Sequence, residues 1–200
     1  MSARAVRLHL RARGGPRFGT GLILVTVFAA VAAQWLATRP FFDGPGARVP
    51  IVALAPLLAA MLLGRTLAGA DESLERSFPV RWRLVRAAHL GAATGLVALL
   101  LASAGLHDPA VYGSHALIRN TLGCIGLVAG TAVPAGARLA WLPAFAYMVT
   151  VYGASPARDG GWENLWAWPL QPSTAVLSWA PALAVFAVGA GLYVLRGARS

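Results

Sequence analysis

Few residues could do chemistry. The two whose burial in a bilayer would cost the most free energy, Arg119 and Asn120, are adjacent inside an apolar stretch. Arg119 and Asn120 fall within the apolar window 116–133, and His89 falls near the start of another, 87–106. Polar and charged side chains at membrane depth are expensive unless they are hydrogen-bonded, so all three are candidate intramembrane polar sites. A purely structural role competes for each. Arg119 could extend its guanidinium to the outer interface, and His89 could be a hydrogen-bonded residue between helices.

Catalytic motifs are absent from the sequence. The four histidines lack metal-ligand spacing, and neither H-E-x-x-H nor G-x-S-x-G occurs. All 17 basic residues are arginine, so a phosphate-binding loop that needs lysine is excluded. Seven carboxylates lie outside the apolar windows, which argues against a carrier coupled to protons or sodium: Asp43, Asp71, Glu72, Glu75, Asp108, Asp159 and Glu163. We therefore expect no enzyme activity, no cofactor and no metal site, and energy supplied by another protein.

An acidic patch with a hydrophobic edge precedes the third apolar window. Asp71 can cap a short helix whose first turn carries Glu72 and Glu75, while Leu74 and Phe78 share one face. Acidic groups on an otherwise basic side favour a docking surface for a cytoplasmic protein. A solvated connector is the competing interpretation.

Three tryptophans cluster before the last apolar window. Trp162 and Trp166 are one helical turn apart, and Trp168 precedes Pro169. This spacing predicts a short interfacial or re-entrant helix that ends at the proline, with the indoles as anchors at the membrane interface.

The elements that must carry these residues are membrane-spanning helices. The 200-residue chain is 58% hydrophobic and only 12% charged, and its mean hydropathy is +0.63. Six apolar windows are near the length needed to cross a bilayer: about 18–38, 49–68, 87–106, 116–133, 139–153 and 174–195. The fold class is therefore all-α and polytopic. The fifth window is short and contains Pro143, so five spans remain an alternative.

The arginines predict the orientation and the organisation of the chain. Most of them flank the ends of the windows that would face inward if both termini are cytoplasmic, which is the expected arrangement in a bacterial inner membrane. Residues 1–17 form a basic amphipathic segment and 18–195 a single transmembrane domain. Within it, 70–86 is a cytoplasmic connector and 154–172 an outer interfacial segment, and 196–200 form a tail. The net charge of +10 favours contact with anionic membrane lipids, and no soluble basic domain exists to bind nucleic acid.

Small residues and the single cysteine suggest how the helices pack. Gly91 with Gly95, and Gly126 with Gly130, are spaced four apart, as at close helix contacts. Cys124, inside an apolar window, is expected to be a small buried residue.

This layout resembles the membrane subunits of type-2 ATP-binding-cassette exporters. The strings DESLER at 71–76, WRLVR at 82–86 and RNTLG at 119–123 are also similar to those of small bacterial permease-like membrane proteins. The resemblance implies that residues 71–78 touch a separate ATPase and that residues 162–170 form an outer gate hairpin. It also implies a homo- or heterodimer with another permease subunit. A non-transporting membrane scaffold or regulatory partner is the alternative.

Overall fold

The computed structural model describes residues 11, 13–37, 45–68, 81–105, 112–154 and 161–199. In these ranges the chain is helical and contains no strand. Three 3-10 turns, Pro45–Arg48, Trp168–Leu170 and Val176–Ser178, connect the α-helices. In chain order the helices are α1 Gly15–Ala37, α2 Val49–Gly64, α3 Trp82–Ala104, α4 Ser114–Ala135, α5 Trp141–Gly153, α6 Glu163–Trp166 and α7 Trp179–Arg196.

Four of the described helices, α1, α3, α4 and α7, are long and apolar enough to cross a membrane. This confirms the predicted all-α fold for the described residues, and helices of this length and composition are compatible with a membrane protein. Helix α2 is apolar but has 16 residues, and α5 has 13. At a rise of 1.5 Å per residue, α5 covers roughly 20 Å, about two thirds of the hydrocarbon thickness.

Two helix starts differ from the predicted windows by five residues. Helix α3 begins at Trp82 rather than at residue 87. The predicted window left out Arg83 and Arg86 because they are charged, but arginine is a good helix former, so the helix includes them. Helix α7 begins at Trp179 rather than at Thr174, because the preceding residues form turns.

Contacts between helix ends define one end of the bundle, which we call the basic end. Arg13 lies just before α1, and its Nη1 donates to the carbonyl of Leu67, just after α2, at 3.3 Å. The hydroxyl of Tyr193, near the end of α7, donates to the same carbonyl at 3.0 Å. Thr66 and His89 join the end of α2 to the start of α3 through Oγ1 and Nε2 at 3.1 Å.

The opposite end, which we call the cap end, brings together the other helix termini. Ser114 Oγ at the start of α4 donates to the carbonyl of Ala102 in α3 at 2.9 Å. Asn120 of α4 donates to Val52 O at the start of α2, also at 2.9 Å. Helices α1 to α4 therefore run in alternating directions along the chain.

Among the four long helices α4 is the most enclosed, and its crossing with α7 depends on glycine. A Cβ at Gly126 would lie 2.5 Å from the Cα of Phe186, and one at Gly189 would overlap the carbonyl oxygen of Gly126. A Cβ at Gly130 would lie 3.1 Å from the Cα of Gly189. The helix contact predicted for Gly126 and Gly130 is thus confirmed, and Cys124 is buried beside it as expected.

The second glycine pair does not mark a contact in the described protein. A Cβ at Gly91 or at Gly95 would meet nothing within 4 Å, because both residues lie on an exposed face of α3. Spacing alone did not separate this pair from the one on α4, since the same four-residue repeat occurs on both helices.

Candidate functional site

A loop folded back over the cap end forms the outer boundary of the site. We call residues 161–178 the cap. It begins at Gly161, whose φ of 94° favours glycine, and continues into the short helix α6. The rings of Trp162 and Trp166 lie 5.4 Å apart, and Trp162 is exposed. A short helix is present as the tryptophan spacing predicted, but it ends at Trp166 rather than at Pro169, which lies in the 3-10 turn that follows. The exposed Trp162 is in a position to meet a membrane interface.

Trp168 behaves differently from the interfacial anchor that was predicted. It is only 2% exposed, and its ring stacks on Tyr147 with centroids 5.9 Å apart. The other side of the ring fills the space at Gly123, where a Cβ would overlap it. The anchor prediction is wrong for Trp168, because the chain turns inward after Trp166 and carries this indole between α4 and α5.

The inward turn buries backbone that is not α-helical among the helices. Residues 167–171 are all buried. Backbone carbonyls at membrane depth have no water to bond, so such a segment is tolerated only where protein groups supply donors. Tyr147 and Tyr112 supply two of them, through a hydroxyl bond to the carbonyl of Trp166 and one of 3.3 Å to the carbonyl of Leu170.

Arg119 supplies most of the remaining donors. Its guanidinium is completely buried. Nη2 donates to the carbonyl of Gln171 at 2.7 Å, and Nη1 donates to the hydroxyl of Ser178 at 2.6 Å and to the carbonyl of Pro172 at 3.1 Å. Nε donates to Oδ1 of Asn120 at 3.1 Å. The planar five-donor guanidinium suits several acceptors at fixed angles, which a lysine ammonium would not.

Asn120 extends this network from the cap to the helices. Its Nδ2 donates to the carbonyl of Pro169 at 2.8 Å and to that of Val52 in α2 at 2.9 Å. The same amide accepts the Nε proton of Arg119, so three of its hydrogen-bonding positions are used. Arg119 and Asn120 therefore join α4, α2 and the cap.

The acceptors around Arg119 are neutral. Glu163, the first residue of α6, carries the single side-chain carboxylate among the described residues. It does not form an ion pair with Arg119, whose guanidinium bonds are all to neutral oxygens. Carbonyl dipoles take the place of a counter-ion, and their number offsets part of the desolvation of the cation. Extension of the guanidinium to the interface, the structural role considered from the sequence, is not what the structure shows.

The remaining candidates are not brought to this site. His89 lies at the basic end, where it pairs with Thr66, so it is separated from Arg119 by the length of the bundle. The proposed docking residues Asp71, Glu72, Leu74, Glu75 and Phe78 lie outside the described residues. In the described ranges, no three His, Cys, Asp or Glu side chains are close enough to hold a metal ion.

Sequence reasoning missed the partners of Arg119, which are backbone carbonyls and Ser178. One signal was available in the two prolines at 169 and 172. They interrupt helical structure within an apolar region, and a lone Arg-Asn pair elsewhere supplies the donors such backbone needs.

Comparison with known proteins returns no match to a protein-family model, to a curated protein or to a solved structure. The geometry of the cap and its buried arginine therefore carries the functional argument.

Proposed function

We propose that this chain is a permease-type subunit of an ATP-driven transporter in a bacterial inner membrane, working with a separate cytoplasmic ATPase. It crosses the bilayer six times with both termini on the cytoplasmic side. Its substrate passes along a surface that is completed by a second permease subunit.

The observation that carries this proposal is the inward-folded cap before the last helix. Residues 167–171 are buried in protein, and Arg119 and Asn120 hold the cap to two helices. A hairpin at this position in the chain is the part that the resemblance to type-2 exporters assigns to the outer gate. A gate must close the pathway, and the buried cap, held by hydrogen bonds to Arg119 and Asn120, would do so at the cap end.

Six crossings are compatible with the brevity of α5. Its roughly 20 Å leaves about 10 Å of a 30 Å hydrocarbon layer uncovered. The cap reaches into this space, since Trp168 stacks on Tyr147 of α5 and the Tyr147 hydroxyl bonds the carbonyl of Trp166. The alternating helix directions and the arginines at the basic end favour cytoplasmic termini under the positive-inside rule.

A non-transporting scaffold or regulatory partner is the second candidate, and one observation favours it. The intramembrane donors of Arg119 and Asn120 already bond the protein's own backbone. They leave few groups to receive a substrate. In that case the cap simply closes the bundle and the cytoplasmic surface recruits a partner.

Identification of the proteins that co-purify in mild detergent separates the two candidates. For the permease we expect a soluble ATPase, and we expect the double substitution Glu72→Arg and Glu75→Arg to release it while membrane insertion is unchanged. The matched control is Asp43→Arg with Asp108→Arg, which reverses two carboxylates on the predicted outer side.

Retention of the ATPase by the Glu72 and Glu75 variant would reject docking at this patch. Loss of the ATPase from the outer-side control as well would show a general charge effect. A stable partner without ATPase activity would favour the scaffold.

A further inference from the structure

Two cavities on the surface formed by α4 and α7 join into one groove. The first, about 380 Å³, lies beside Gly126, Ala184, Val188 and Gly189. The second, about 480 Å³, lies nearer the basic end beside Val133 and Pro134. Gly130 and Leu192 line both cavities, so the two are continuous.

The groove exists because the helix crossing is built from glycine. Gly126, Gly130 and Gly189 let the two backbones touch, and they place no side chains in the space beside the contact. Along α7 the lining runs from Ala184 to Arg196, which corresponds to roughly 18 Å of helix. Half of a ~30 Å hydrocarbon core is about 15 Å, so the groove has the length of one leaflet's acyl chain.

Cations stand at one end of the groove only. Arg196 and Arg199 line the cavity at the basic end, whereas the lining farther along is apolar or glycine apart from Thr131, whose hydroxyl bonds its own helix and the carbonyl of Ala140. No carboxylate of the described residues pairs with either arginine; Glu163 lies at the cap end.

The chain end that carries these arginines is fixed. Gly197, with φ of 79°, turns the chain after α7, and a Cβ there would lie 2.7 Å from the guanidinium carbon of Arg86. The backbone N–H of Arg199 donates to the carbonyl of Ala132 at 3.1 Å, and its carbonyl accepts from Ala137 N–H at 3.0 Å. Arg199 is therefore held over the end of α4 and beside the cavity.

From this geometry we propose that the groove binds an anionic phospholipid of the leaflet at the basic end. One acyl chain lies along Val188 and Leu192 between α4 and α7, and the phosphate meets Arg196 and Arg199. Charge complementarity selects this occupant over a helix from a second copy. Arg196 and Arg199 are exposed beside the groove, where Arg199 Nη1 also lies 3.4 Å from the carbonyl oxygen of Pro134, and a phosphate supplies the negative charge that an apolar helix lacks.

Native mass spectrometry of the full chain in mild detergent tests the site. The probes are phosphatidylglycerol and phosphatidylcholine with identical acyl chains. For one lipid per protein we expect phosphatidylglycerol to bind about 10- to 30-fold more tightly, since each arginine near the surface contributes roughly 1 kcal/mol. The double substitution Arg196→Gln and Arg199→Gln should remove that preference. The control Arg17→Gln with Arg83→Gln, two exposed arginines outside both cavities, should keep it.

The acyl part of the proposal has its own variant. Val188→Trp fills the groove from an exposed position, and it should lower retention of both lipids at least fivefold. Leu195→Trp, equally exposed on α7 but outside both cavities, should not.

Equal binding of the two lipids by the unmodified protein would overturn the proposal. The same preference in the Arg196 and Arg199 variant as in its control would do so too. If Val188→Trp changed the oligomeric state and left lipid retention unaltered, the groove would belong to a second copy. The tryptophan variants keep both arginines, so they test the acyl-chain site even if the double glutamine variant fails to fold. The preference of the unmodified protein for one of the two lipids still tests the headgroup site.

Discussion

The two ends of the bundle differ in where most of their arginines lie. At the cap end a single arginine, Arg119, is fully buried and surrounded by neutral acceptors. At the basic end Arg13 is also buried and donates to the carbonyl of Leu67, but other arginines, among them Arg17, Arg83 and Arg196, lie on the surface. The further hydrogen bonds between helices at this end come from Tyr193 and Thr66.

The difference shows that burial decides what an arginine does in a membrane protein, more than its charge alone. A buried guanidinium fixes structure because every lost bond leaves a carbonyl without water. An exposed one contributes little to folding and remains available for lipid headgroups or partners. The comparison predicts large effects at the cap end and small ones at the basic end.

Replacement of the buried arginine should have the largest effect. Arg119→Leu leaves the carbonyls of Gln171 and Pro172 buried without donors, so we expect the free energy of unfolding in mixed micelles to fall by about 3–5 kcal/mol. Arg119→Lys should restore little of the lost stability, since a lysine ammonium cannot reach the several acceptors that the planar guanidinium bonds at once. The exposed Arg138→Leu serves as control and should change stability by less than about 0.5 kcal/mol. Equal losses in both leucine variants would remove the contrast between the ends.

An added methyl group at the helix crossing should come next. The Cβ of Gly189→Ala overlaps the carbonyl oxygen of Gly126, so α4 and α7 must separate, at about 1–3 kcal/mol. Gly191→Ala on the same helix meets nothing within 4 Å and should be neutral or slightly stabilising. Hydrogen exchange sharpens the comparison: we expect Gly189→Ala to loosen both ends and Arg119→Leu to loosen the cap alone. Loss of protection at one end only in the glycine variant would contradict this.

A smaller effect is expected from the tyrosine at the basic end. Tyr193→Phe removes the 3.0 Å bond to the carbonyl of Leu67 and the hydroxyl that lies 3.4 Å from Arg13. Thermal unfolding should report a loss of about 1 kcal/mol. Thr150→Val, whose hydroxyl bonds only the backbone of its own helix at Ala146, is the control. A loss as large as that of Arg119→Leu would mean that the basic end is held as firmly as the cap.

The smallest effect should follow substitution on the exposed face of α3. Gly91→Ala with Gly95→Ala adds two methyl groups to open space, so we expect no loss of stability and at most a small gain through helix propensity. Thermal unfolding measures the change in stability, and size-exclusion chromatography with light scattering reports the oligomeric state. A change of oligomeric state would reveal this face as a contact between copies.

Much of the fold was predictable from sequence, because backbone groups in hydrocarbon must form their hydrogen bonds within the protein and long apolar segments therefore form helices. The apolar window at 116–133 became α4, and the tryptophan spacing at 162 and 166 gave the short helix α6. The site was predictable only in part. Arg119 and Asn120 stood out as costly residues, but Trp168 was expected at the interface and is buried against Gly123. Whether an indole faces lipid or protein depends on where the chain turns, and composition does not encode that turn.

The sequence by itself determined that this protein is a bundle of apolar helices, since backbone polar groups in lipid must bond within their own segment. It also determined which arginines lie outside the apolar windows, because charge and hydropathy are properties of each residue and need no knowledge of the fold. Only the tertiary structure decided what Arg119 binds. Its acceptor at Gln171 lies 52 residues away in the chain, and such a partner comes within reach only when α4, α2 and the cap have packed together.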